Sequence, residues 1–275
     1  MKLKYYGTGS CEGIPGIFCD CENCRRIRSA GGKSIRTRHQ SSIDDKLLID
    51  FPADTAAHVL YGGLPLYNIK NILLTHPHQD HLYIEDFLMR DVQKKCMPQG
   101  AETLTVYSSR KTGAAVRALI EKYGKEHLLD FKELAAYQSY MIGGYEVIPL
   151  HAAHEYSAES FIYIISKDEK SILYAHDTGY FPAETWDFIE TCGKHFGIVS
   201  LDCAFVTSPS HETHMGIDDN IKVRNRLIQS GCADEHTHFI ANHFSHFHQF
   251  THEELCEYIK PMGLEAAYDG MTVEI

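Results

Sequence analysis

Residues 76–81 read His76-Pro77-His78-Gln79-Asp80-His81, directly after the apolar run Ile69–Leu74. The run has the composition of a short buried strand, so the polar cluster sits at a strand's C-terminal end. Neutral imidazole and carboxylate are the usual ligands of zinc and similar divalent ions. In an extended turn, residues two apart point the same way. His76 and His78 are therefore expected to converge on one ion, and Asp80 and His81 to reach a second. One loop cannot complete two metal sites, so further ligands must come from other strand ends.

Three strands lead into such candidates. Tyr145–Leu150 runs into His151-Ala152-Ala153-His154, Ser171–Tyr174 into His176-Asp177-Thr178-Gly179, and His238–Ala241 into Asn242-His243-Phe244-Ser245-His246. A further pair, His211 and His214, lies in the segment 210–216. Other strand-like runs are Lys46–Phe51, Leu104–Tyr107, Phe161–Ile165, Ile198–Leu201 and Met271–Ile275. Between them, Thr112–Tyr123, Pro182–Cys192 and Asp218–Gln229 carry helical periodicity, and Thr251 reads as the N-cap of a helix through Tyr258. Strands and helices alternate irregularly, which points to a mixed sheet arrangement with helices outside.

A second constellation, Cys19-Asp20-Cys21-Glu22-Asn23-Cys24, places three thiols within six residues, with Cys11 eight positions before. Three thiolates need one more donor to close a tetrahedral structural zinc site. An iron–sulfur cluster would need Cys11 as its fourth ligand. The remaining cysteines, Cys96, Cys192, Cys203, Cys232 and Cys256, read as ordinary core or surface residues.

Composition bounds the function. The chain has 275 residues, 18 His, 9 Cys and a formal charge of −11. A chain of this length buries a sizeable core without disulfides. Its negative charge argues against a sequence-independent grip on nucleic acid. No run approaches a membrane span, and MKLKYYGTGSCEG lacks an apolar stretch of signal-peptide length, so a cytoplasmic location is expected. No Pro-, Gly- or Ser-rich linker divides the chain. One domain over 1–275 is expected, with a Cys-rich zinc-binding insertion at about 11–40.

With these residues in view, the chain resembles the metallo-β-lactamase superfamily. The resemblance spans Gly7-Thr8-Gly9-Ser10, the Leu48-Ile49-Asp50 strand end, the HxHxDH loop, His154, Asp177-Thr178-Gly179 and His243. Within the superfamily it is most similar to the phosphoribosyl cyclic phosphate phosphodiesterases of the carbon–phosphorus lyase pathway, and more distantly to ribonuclease Z. The resemblance implies an α/β four-layer αββα sandwich with a dinuclear site at one edge. It implies that His76, His78 and His154 hold one ion, that Asp80, His81 and His243 hold the other, and that Asp177 bridges them. His154 is preferred over His151 because it matches the family histidine a short gap after the Pro149-Leu150 strand. The ions would be manganese or zinc. About 4 Å apart, they would activate a bridging water and clamp a phosphoryl group. The resemblance also suggests His214 as acid or phosphate-oxygen donor, with His211 as its competitor. It completes the Cys19, Cys21, Cys24 triad with His246, three residues after His243, as a structural zinc site. His176, before the bridging Asp, departs from the family's usual small residue; it is either support for the site or a surface residue.

The function this implies is a dinuclear-metal phosphodiesterase acting on a small cyclic phosphate or phosphodiester, with Asp80 and His214 in catalytic roles and a homodimer as one assembly. Ribonuclease Z-like RNA processing, hydrolysis of a lactone, thioester or β-lactam, and a non-catalytic carrier like a relative from quinone-cofactor biosynthesis are the alternatives. Filled ligand positions favour catalysis over the carrier. Arg36, Arg38, His39, Gln40, Ser41 and Ser42 form a polar stretch read either as a phosphate contact or as solvated charge, and Arg25, Arg26 and Arg28 are read the same way. Gly7–Ser10 lacks the P-loop pattern. Trp186 is expected in the core, and His58, His127, His195, His236 and His252 carry no assigned role.

Overall fold

The computed structural model describes residues 1–93, 96–98, 103–124, 128–155, 159–209 and 211–275. The described strands form two mixed sheets of seven. The first contains β1 (Lys2–Gly7), β2 (Gln40–Ile43), β3 (Leu47–Ile49), β4 (Asn71–Leu73), β5 (Leu104–Ser108) and β6 (Leu129–Glu133) in that order, with β14 (Thr272–Glu274) outside β1. The second runs β7 (Tyr140–Ile142), β8 (Tyr145–His151), β9 (Phe161–Lys167), β10 (Lys170–Ala175), β11 (Ile198–Asp202), β12 (His238–Asn242) and β13 (Glu265–Ala266).

Strand periodicity explains the layering. In β9, Phe161, Tyr163 and Ile165 face the other sheet, while Ile162 and Ile164 face the opposite way into a second apolar cluster. Likewise Leu47 and Ile49 of β3 point between the sheets and Leu48 points out. Both faces of these strands are therefore buried, which is why they read as continuous apolar runs. Three hydrophobic clusters result. One fills the space between the sheets. One packs the second sheet against α5 (Ala183–Thr191), α6 (Ile217–Gln229) and α7 (His252–Ile259). One packs the first sheet against α4 (Ala114–Tyr123), which follows the short α2 (Thr55–Leu60) and α3 (Met89–Val92) in the chain. Three interfaces separate four layers, the expected αββα sandwich. Trp186 is fully buried among the α5 contacts, as expected.

Local signals set the helix ends. Thr251 caps α7 in a reciprocal capping box with Glu254. The helical pattern at Thr112 yields α4 from Ala114, ending at Gly124 in the left-handed conformation (φ 59). Two elements carried little sequence signal. Helix α1 (Glu22–Ala30) is capped by the Cys21 sulfur accepting from the Cys24 amide. Strand β2 is polar yet wholly buried, its Gln40 amide donating to the Asp50 carbonyl and Thr55 hydroxyl. His127 lies outside the described residues. Among those described, no helix is long and apolar enough to cross a membrane.

Candidate metal centre

Parallel pairing brings the site's residues to one edge. In the second sheet β10 pairs parallel to β11, and β11 to β12, so Ala175, Asp202 and Asn242 end side by side. Asp177 and His243 follow within two residues. In the first sheet β3 and β4 are parallel, placing Asp50 beside the 76–81 loop. Asp50, Asp177 and His243 all adopt left-handed backbone conformations, with φ of 65°, 48° and 59°. Non-glycine residues rarely do so, and such strain concentrates where the chain must turn sharply at a functional site.

The expected ligand residues converge. His76 Nε2 lies 2.9 Å from His78 Nδ1, and His154 Nε2 lies 3.2 Å from the same atom. On the other side, His81 Nε2 is 3.2 Å from Asp80 Oδ2 and 2.8 Å from Asp177 Oδ2. His243 Nε2 is 3.0 Å from Asp177 Oδ2 and 3.9 Å from Asp80 Oδ2. Asp177 stands between the two groups, its other oxygen 3.8 Å from His154 Nε2. His76, His78 and His154 have ligand atoms within 4.8 Å of one another, and so do Asp80, His81 and His243.

These atoms fit cations better than they fit each other. His81 Nε2, His243 Nε2 and Asp177 Oδ2 are buried, and none makes a hydrogen bond of acceptable geometry despite the short separations. Buried polar atoms normally find partners. Here the lone pairs point into a shared space, which is the arrangement a divalent ion completes.

Carboxylates behind the histidines orient them. Asp50 Oδ2 lies 2.8 Å from His81 Nδ1, while its Oδ1 accepts from the Thr75 amide and hydroxyl. Burial disfavours a charged His81, but Asp177, Asp80 and Asp50 outweigh it and raise its pKa. Asp202 was not singled out from the sequence. It ends β11 fully buried and accepts from the Ala204 and Met215 amides. Its Oδ2 lies 2.9 Å from His214 Nδ1 and 3.5 Å from His243 Nδ1. Burial works against its charge, yet His214 and His243 hold its pKa at about 2. The available signal was an acid at a strand end, the same signal that marked Asp177.

His214 and His211 part company. His214 lines the cavity over the cluster, of about 300 Å³, with Phe205, Phe247 and Glu12. His211 is exposed, paired with His214 only through a backbone bridge. His151 is turned away: its carbonyl accepts from Thr185, and its ring lies between Tyr137 and Phe161. His176 is not a surface residue. It is buried beneath Asp177, with Nδ1 3.0 Å from His39 Nε2 and Nε2 2.7 Å from the Ser200 hydroxyl.

The Cys19, Cys21 and Cys24 sulfurs lie mutually within 4.8 Å. His246 lines the same cavity as Cys19 and Cys21. It differs from expectation in that no ring nitrogen of His246 joins the three sulfurs within that distance. Its Nδ1 is held 2.9 Å from Glu12 Oε1, which leaves Nε2 as its free ligand atom. A histidine ligand commonly holds a carboxylate through its other nitrogen. Cys11 is at the mouth of the other cavity, so it is no fourth ligand here.

The polar stretch around residue 36 is neither a phosphate contact nor solvated charge. Arg36 is buried, donating to the Thr8 hydroxyl and Ala267 carbonyl, and burial lowers its pKa to about 10. His39, Gln40, Ser41 and Ser42 are buried as well. Only Arg38 is partly exposed, with Nε donating to the Cys11 carbonyl.

The fold and site define an α/β protein with a clustered His/Asp centre, of a kind that could hold metal, at a double-sheet edge. The family described as "Beta-lactamase superfamily domain" matches residues 51–233, more than half of the chain. The chain therefore belongs to the metallo-β-lactamase superfamily, whose members are mostly hydrolases that use divalent metals. Solved structures similar to it include a diphosphatase from the PhnP family, with TM-score 0.73, 25% identity and coverage of 100% of this chain and 97% of that one. Zn²⁺-bound PqqB from Methylobacterium extorquens (TM-score 0.70, 14% identity, 100% of both chains) and the human short-form tRNase Z (0.64, 14%, 100% and 99%) share the fold. An octanoyltransferase of Porphyromonas gingivalis (strain ATCC BAA-308 / W83) is 24% identical over 285 residues, covering 100% of this chain and 52% of that protein. The chain thus spans about half the length of the curated relative it matches.

Proposed function

We propose that this chain is a dinuclear-metal phosphodiesterase that hydrolyses a small cyclic phosphate or phosphodiester. The observation that carries the reading is the convergence of two ligand groups on either side of Asp177, under a cavity lined by the carboxylate-held His214. His76, His78 and His154 would hold one ion, Asp80, His81 and His243 the other, with Asp177 shared. Bound there, manganese or zinc ions supply water activation at neutral pH and electrostatic stabilisation of a phosphoryl group. The similarity to a PhnP-family diphosphatase supports phosphorus–oxygen chemistry.

The protein's own groups do the rest. Asp202 fixes the His214 ring through Nδ1, leaving Nε2 for the cavity. Burial opposes protonation of His214, but Asp202 and Asp177 outweigh it and raise its pKa. His214 can therefore carry the proton that a departing alkoxide needs. Cys19, Cys21, Cys24 and His246 would hold a structural zinc, which ties the N-terminal segment to the loop carrying His243. Glu12 makes the same tie by hydrogen bonds, accepting from Ser10, Ser245 and the His246 amide.

Hydrolysis of bis-p-nitrophenyl phosphate and of ribose cyclic phosphate with added Mn²⁺, before and after Asp80→Ala, tests the reading. Metal-dependent turnover lost in the variant supports it; no metal-dependent activity on either diester sinks it. Acyl chemistry is the second reading, favoured by the Porphyromonas gingivalis relative alone. Release of octanoate from an octanoyl thioester under the same conditions would favour it instead.

A further inference from the structure

The cavity over the cluster is two-sided in character. Its floor is the His/Asp centre, but its walls include Phe205 and Phe247. Phe247 is 70% exposed, and its ring lies 4.2 Å from that of His246. Phe205 and Phe247 thus put two aromatic side chains beside a polar floor, and aromatic rings pair favourably with other rings. The second feature is charge. Among the described residues lining this cavity there is no Lys or Arg. The acidic group on its rim is Glu12, which accepts hydrogen bonds from the Ser10 and Ser245 hydroxyls and the His246 amide. Arg38 donates its Nε to the Cys11 carbonyl and is not among the residues lining the cavity. A phosphate beyond the reacting one would enter without the forked cation that such groups normally meet, and would face a carboxylate.

We propose that the substrate carries one flat, uncharged aromatic group, seated against Phe205 and Phe247, and no phosphate beyond the one attacked. This rests on the phosphodiesterase reading above and narrows its substrate class. The ring supplies the affinity that a polar sugar phosphate would draw from basic residues. Aromatic contacts favour offset or edge-to-face geometry and add to the area buried.

Calorimetry on the Mn²⁺-loaded protein tests it without requiring turnover. Diphenyl phosphate is expected to bind at least about tenfold more tightly than dimethyl phosphate, the size of effect two aromatic contacts supply. Phe247→Ala and Phe205→Ala should each reduce that ratio. Phe247→Leu, which keeps apolar bulk without the flat ring, should reduce it in part. A ribose cyclic phosphate should bind more weakly when it carries a 5-phosphate. An affinity ratio unchanged by the Phe variants, or tighter binding with the 5-phosphate, would overturn the proposal. Phe-dependent binding of diphenyl phosphate with no turnover of any diester would uphold the aromatic subsite and fail the reaction assignment instead.

Discussion

Asp202 and His214 form a carboxylate–imidazole pair, Oδ2 to Nδ1 2.9 Å, at the edge of the proposed metal centre. Burial lowers the pKa of His214, and the Asp202 carboxylate more than reverses that and raises it. It also fixes which ring nitrogen is free. That is the arrangement an acid needs when its work is to protonate a leaving group.

His214→Ala should therefore lower kcat by about 10²-fold. The loss should be larger for diesters with poorly acidic leaving alcohols than for p-nitrophenyl esters, whose leaving group needs no proton. Metal content should be unchanged. A series of leaving groups checks this; a uniform loss across the series would show that His214 binds rather than donates.

Asp202→Asn should act on two neighbours at once. It weakens the hold on His214, and it removes the carboxylate 3.5 Å from His243 Nδ1. Loss of such a supporting carboxylate typically costs 10–100-fold in metal affinity or activity. Metal titration should show weaker binding in this variant but not in His214→Ala. Equal metal affinity in the two would contradict the coupling to His243.

Cys21→Ser should remove one zinc per chain and lower Tm. Cys21 is both a candidate ligand and the N-cap of α1, whose Asn23 side chain donates to the His248 carbonyl. Zinc analysis and thermal melts check it. A variant with full zinc content would mean that the thiols hold no metal.

His58 gives a pH signature of stability away from both metal sites. It is buried between Thr37 and Gln40, with Nε2 2.8 Å from the Thr37 hydroxyl and Nδ1 2.6 Å from Gln40 Oε1. Burial lowers its pKa from 6.5 to about 4. As pH falls from about 6.5 to about 4, the unfolded chain takes up a proton that the native state refuses. Stability therefore drops, by at most about 1.4 kcal/mol per pH unit, and stops changing on this account below about 4. His58→Gln should flatten that part of the profile in urea titrations between pH 7 and 5. An unchanged slope would place the acid sensitivity elsewhere.

The centre was legible because its residues are rare types at short spacing next to apolar runs. His76 to His81 are nearly contiguous, and His154, Asp177 and His243 each follow a strand. Asp202 escaped because a single acid after Ile198–Leu201 looks like any strand end; only the parallel pairing of β11 between β10 and β12, with Asn242 opposite Asp202, shows where it points. Arg36, His39 and Gln40 read from the sequence as a phosphate contact or solvated charge; their burial is hidden there because their partners, Thr8, Tyr174 and Asp50, lie far away in sequence or on other strands. Strand β2 had no apolar alternation to reveal it, since Gln40, Ser41 and Ser42 are polar side chains buried inside the fold. The αββα layering was within reach of a resemblance, and the two-faced burial of β3 and β9 accounts for it physically.

The proposed hydrolytic centre needs two ions. Metal-free protein titrated with Mn²⁺, after the Cys site is filled with zinc, tests it through bis-p-nitrophenyl phosphate hydrolysis at each step. Turnover is expected to saturate at two equivalents of Mn²⁺ per chain. Full activity at one equivalent, or none at any occupancy, would contradict it.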